Sequence, residues 1–97
     1  MSASARIAYV NGAFLPLHEA RIPIMDRGFL FGDGIYEVTA VINGRLIDNA
    51  PHLARLDRSL REIDIPNPQV LAGWTAIQSE LVARNRFREG LIYIEVT

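Results

Sequence analysis

Ninety-seven residues suffice for one domain around one hydrophobic core. Apolar residues make up 49 %, and ten basic against eleven acidic side chains leave a net charge of −1, which excludes a disordered chain and argues against nucleic acid as a partner. Cysteine is missing, so disulfides and thiolate metal sites are excluded; all the basic residues are arginine, so no lysine of this chain can form a Schiff base or act as a general base. Residues 6–16 read as a hairpin: Ile7-Ala8-Tyr9-Val10, an Asn11-Gly12 pair suited to a type I′ turn, and Ala13-Phe14-Leu15 stopped by Pro16. No apolar run is long enough to span a membrane, and residues 1–6 lack the apolar centre of a signal peptide. The cytoplasm is the default expectation.

The stretch Asp26-Arg27-Gly28-Phe29-Leu30-Phe31-Gly32-Asp33-Gly34 reads as a shaped loop, since three glycines within seven residues disfavour a strand. It is either a tight structural turn or a binding loop delivering Tyr36 and Glu37 to the start of a strand. Strand 35–42 alternates, with Tyr36, Val38, Ala40 and Ile42 on one face and Ile35, Glu37, Thr39 and Val41 on the other. Asn43-Gly44 then turns the chain into Arg45-Leu46-Ile47.

Two helices follow. Asp48 or Asn49 can cap the first, Pro51 fits its first turn, and Leu53, Leu56, Leu60 and Ile63 form one stripe. Asn67-Pro68 suggests the start of the second, with Val70, Trp74, Ile77 and Leu81 as its apolar stripe and Arg84, Arg86 and Arg88 as a solvated basic patch near its end. Gly90 releases the chain into a last strand whose Ile92, Ile94 and Val96 share a face. Strands are expected near 6–10, 13–15, 35–42, 45–47 and 91–96, and helices near 50–64 and 68–85. The result is an α+β domain of two layers, antiparallel hairpins packed on two helices. Thr97 ends inside a hydrophobic strand, which suggests a piece of a longer protein.

Few groups could carry chemistry. His18 and His52 lack the spaced partners of a metal site, so no metal is expected. Asp26 and Asp33 suit turns, Ser59 and Ser79 have no nucleophile motif, and the glycines match no nucleotide-binding fingerprint. Two candidates remain: Tyr36 at the start of its strand, and Arg55 in the early turns of a helix. There Arg55 is either a solvated charge or a fork of donors for a phosphate.

The run from Asp26 to Val38 resembles the N-terminal signature of the fold-type IV pyridoxal-phosphate enzymes, and His52-Leu53-Ala54-Arg55-Leu56 resembles their second motif. Tyr36-Glu37-Val38 is similar to the D-amino-acid transaminase branch. The resemblance implies the small N-terminal domain of the D-amino-acid aminotransferase-like fold across residues 1–97, with the C-terminal cofactor-binding domain absent. It implies pyridoxal 5'-phosphate held through its phosphate by Arg55, a substrate carboxylate met by Tyr36, and Val38 lining the pocket, with Glu37 and His52 at most supporting them. The implied reaction moves an amino group between a D-amino acid and a 2-oxo acid, in a homodimer. The family's Schiff-base lysine has no counterpart here, so this stretch contributes no catalytic residue and is expected to be inactive alone and to bind no cofactor alone. The lyase and branched-chain branches of the family remain alternatives, as does a non-catalytic module that binds an anion or a protein.

Overall fold

The computed structural model describes residues 6–97; residues 1–5, within the stretch read above for a signal peptide, lie outside it. Both hairpin turns form as expected. Asn11 and Gly12, and again Asn43 and Gly44, take positive φ at both central positions, which matches the twist of the strands they join. Strand β1 (Ile7–Val10) pairs antiparallel with β2 (Ala13–Pro16), and β3 (Ile35–Ile42) pairs antiparallel with β4 (Arg45–Leu46). The last strand, β5 (Gly90–Val96), lies antiparallel along the whole other side of β3, giving a three-stranded sheet in the order β4-β3-β5.

Helix α2 (Asn49–Glu62) packs on one face of that sheet, and α3 (Leu71–Asn85) packs beside α2 and against β1. Leu53, Leu56 and Leu60 of α2, Trp74 of α3, and Val41, Ile92, Ile94 and Val96 of the strands form the core. The side chain of Asn85 ties the first hairpin to α3: it accepts from the Ile7 amide at 2.8 Å and donates to the Ile7 carbonyl at 3.0 Å.

Three expectations need correction. The glycine stretch is not all loop: Arg27–Phe31 forms a short helix, α1. Asp26 Oδ1 accepts from the Gly28 amide at its start, and Gly32, at φ 72°, ends it in the left-handed conformation that suits glycine. The second long helix begins at Leu71, not Pro68: the Asn67 side-chain oxygen accepts from the Gln69 amide and the Trp74 indole in a turn that precedes the helix. Val70 is exposed, and the buried side chains of α3 are Trp74 and Gln78. At the entry to β3, a Cβ on Gly34 would stand 2.8 Å from the Val96 carbonyl oxygen, so only glycine lets the loop lie against β5.

Candidate functional site

Alternation along β3 sends neighbouring residues to opposite faces, and the candidate site straddles the strand. Tyr36, exposed, and Val38, half-buried, lie on the open face, opposite the core. Their register partners on β5 are Glu95 and Tyr93. The Tyr36 and Tyr93 rings stack nearly parallel, centroids 5.5 Å apart, and the Tyr93 hydroxyl donates to Glu95 at 3.2 Å. Partial desolvation and the hydrogen bond to Glu95 push the Tyr93 phenol above its usual pKa, so it stays protonated.

Glu37 points the other way, into the covered face, and its side chain is only 3 % exposed. Helix α2 reaches it with two side chains one turn apart. Arg55 Nε–H donates to Glu37 Oε2 at 2.6 Å and Nη2–H to Oε1 at 2.9 Å, a two-pronged guanidinium–carboxylate pair. His52 Nδ1 lies 2.8 Å from Oε1. Hydrogen bonding to Arg55 holds the Glu37 carboxyl below its ordinary value, burial opposes it, and His52 adds to the lowering. An ionised Glu37 only accepts, so the hydrogen between them sits on His52 Nδ1. The Arg55 side chain is 58 % exposed, and the Nη1 hydrogens and outer Nη2 hydrogen have no partner among the described residues. Those outward donors form a planar fork that can meet two oxygens of a phosphate ester.

Thus Arg55 and Tyr36 sit at the same end of β3 on opposite faces. They are near enough that Tyr36 contributes, after the dominant Glu37 contacts, to raising the Arg55 pKa. The charged residues of the glycine stretch are committed elsewhere: Arg27 pairs with Asp33, and Asp26 also accepts from Thr97 Oγ1 at 2.9 Å. A groove of about 1030 Å³ between the first hairpin and β5, lined by Trp74 and Gln78, takes in none of Tyr36, Val38 or Arg55. Among the described residues no three potential metal ligands cluster, and no helix is long and apolar enough to cross a membrane.

Residues 34–97 match the family model described as amino-transferase class IV. The chain belongs to the class IV aminotransferase family. It is 37 % identical over 89 residues to a D-alanine aminotransferase of Staphylococcus aureus (strain MSSA476), covering 92 % of this chain and 32 % of that protein. To a D-alanine aminotransferase of Bacillus licheniformis it is 40 % identical over 87 residues, covering 90 % of this chain and 31 % of the relative. A solved branched-chain aminotransferase of Thermoproteus uzoniensis with norvaline superposes with a TM-score of 0.78 over 93 % of this chain and 31 % of its own; at 24 % identity this shows the shared fold. The chain therefore spans about a third of the length of these relatives. The fold-type IV resemblance and the α+β fold of the sequence reading hold for this class IV aminotransferase chain.

Sequence reasoning ranked Glu37 as a support at most, and the structure makes it the centre of the buried cluster. Tyr93 lies outside the apolar Ile92, Ile94 and Val96 face by which the sequence marks the last strand. The signal was present: Tyr93 falls on the alternate face of a strand antiparallel to β3.

Proposed function

We propose that the whole protein is a pyridoxal-phosphate-dependent transaminase exchanging an amino group between a D-amino acid and a 2-oxo acid, and that this chain is its small N-terminal domain. The observation that carries the reading is the Arg55 guanidinium, fixed at its Nε edge by Glu37 and open at its other end, next to the strand end that presents Tyr36. The names of the curated relatives and the Tyr36-Glu37-Val38 sequence support the D-amino-acid branch.

When bound, pyridoxal phosphate supplies the electron sink for the bond broken at the substrate's α-carbon. The residues of this chain bind and orient. Arg55 holds the phosphate by its outward N–H groups. The Tyr36 hydroxyl donates to the substrate carboxylate, and Tyr93, stacked behind it, fixes the ring. Val38 shapes the apolar wall beside them. With no lysine in the chain, the group that anchors the cofactor and moves the α-proton comes from elsewhere in the whole protein. These 97 residues alone are inactive in transamination.

The test is the full gene product given D-alanine and 2-oxoglutarate, with pyruvate followed. Turnover of D-alanine and none of L-alanine is expected, and turnover confined to L-branched-chain substrates would overturn the D-amino-acid reading. In the same protein Arg55→Ala should weaken pyridoxal phosphate affinity about ten- to a hundredfold, the scale of a charge-assisted contact. Arg58→Ala, on the same helix, should change it little. Removal of Arg55 also leaves the buried Glu37 carboxylate without its main partner, so this variant should unfold more easily than Arg58→Ala.

A further inference from the structure

We propose that Glu37 is a positioning residue for the phosphate grip: it fixes the plane of the Arg55 guanidinium so that the Nη1 end faces outward before any ligand arrives. This rests on the reading of Arg55 as the phosphate-binding residue.

A carboxylate on the covered face is an expensive choice. Glu37 stands two residues from Thr39 and four from Val41 on the same face, opposite Ile94, where an apolar side chain would fill the space without desolvating a charge. Buried ion pairs contribute little net stability compared with apolar packing of the same volume. What the carboxylate supplies is geometry. Both of its oxygens are taken by α2, Oε2 by Arg55 Nε and Oε1 by Arg55 Nη2 and His52 Nδ1. His52 holds the carboxylate from the side that Arg55 leaves open, so the carboxylate is itself fixed.

Two consequences follow for a phosphate. The Nε edge of the guanidinium is consumed, so a phosphate ester meets the Nη1 end and the outer Nη2 hydrogen, end-on. A long side chain that is otherwise free in water is already ordered, so less rotamer freedom is lost on binding. Against this, Glu37 cancels most of the positive charge of Arg55, so the grip works through orientation more than through net charge. A counterion with no positioning role would do the opposite: its removal would free the charge and tighten phosphate binding. The two roles therefore predict opposite signs.

The experiment compares apo full gene product titrated with pyridoxal phosphate and with pyridoxal, which lacks the phosphate, and reads the ratio of the two affinities. Glu37→Gln keeps the shape and removes the charge. It should lower the ratio about three- to tenfold, while Arg55→Ala lowers it about ten- to a hundredfold and the double variant falls no further than Arg55→Ala alone. If Glu37→Gln does not fold, Glu37→Asp, a methylene too short to hold both nitrogens, should show the same drop. An unchanged or raised ratio in a folded Glu37 variant, or an equal loss for both ligands, overturns the positioning role while leaving Arg55 as the phosphate residue. An unchanged ratio in Arg55→Ala overturns the phosphate reading and this inference with it.

Discussion

The covered and open faces of β3 treat their side chains in opposite ways. On the covered face the polar groups are held by named partners: Glu37 by Arg55 and His52, and Thr39 by Asn49, whose amide in turn donates to Gln78 Oε1 at 2.8 Å. Only Gln78 Nε2 is buried without a hydrogen-bond partner among the described residues. On the open face large apolar and aromatic side chains stay exposed beside Glu95, Leu91 at 70 % and Tyr36 at 64 %. One strand thus separates two tasks by its two-residue period. Its inward residues join the core and hold Arg55; its outward residues form the opposite, more exposed surface.

The sharpest way to break that comparison is a matched pair of leucine truncations. Leu56 is 0 % exposed beneath the sheet, and Leu56→Ala should cost about 2–5 kcal/mol of unfolding free energy through lost burial and the cavity left behind. Leu91→Ala, on the open face, should stay within about 0.5 kcal/mol. Urea unfolding of the 97-residue chain measures both. Similar losses would mean that the open face is also part of the fold's support.

Much of this division was legible in the sequence. Each Asn-Gly pair specified its hairpin, because it suits a type I′ turn, whose positive φ at both residues follows strand twist. The leucine spacing in α2 marked its inward stripe, and alternation in β3 assigned Tyr36 and Glu37 to opposite faces before any coordinates. The failures share a physical cause, contacts distant in sequence. Asn67 looks like the cap of a helix from Pro68, but the helix starts at Leu71 and the Asn67 oxygen is shared between the Gln69 amide and the Trp74 indole, seven residues on. Gln78 lies outside the apolar stripe read for its helix and is buried where Asn49 meets it across the helix pair. Glu37 shares a strand face with Ile35, Thr39 and Val41 and reads as a support at most, while the pairing of its buried carboxylate with α2 is a contact through space. The short helix α1 failed for a local reason: five residues bounded by glycine carry too little periodicity to distinguish a helix from a loop.

A smaller effect should follow pH. The folded-state pKa of Glu37 lies below its ordinary value of 4.5, mainly through Arg55. Above that ordinary value the carboxyl is ionised in both folded and unfolded chains, and its full contribution to stability is present. As pH falls below 4.5, the unfolded chain takes up a proton that the folded one refuses, and the contribution is lost as pH passes the folded value. Unfolding free energy should therefore drop more steeply below pH 4.5 in the wild type than in Glu37→Gln, with other carboxylates common to both. Parallel slopes would show that the buried cluster carries no proton linkage.

The smallest change in stability belongs to Tyr36, where the comparison is tested from the functional side. Tyr36→Phe removes the hydroxyl and keeps the ring that stacks on Tyr93. The hydroxyl lies on the exposed face, so unfolding free energy should move by no more than about 0.5 kcal/mol. If that hydroxyl meets the substrate carboxylate, KM for D-alanine in the full gene product should rise about tenfold or more, since a hydrogen bond to a charged group is lost. Affinity for pyridoxal phosphate, held on the far side of the strand through Arg55, should stay level. A variant that loses stability but not substrate affinity would reverse the assignment of the open face, making the tyrosine stack a support of the sheet instead of a surface for the substrate.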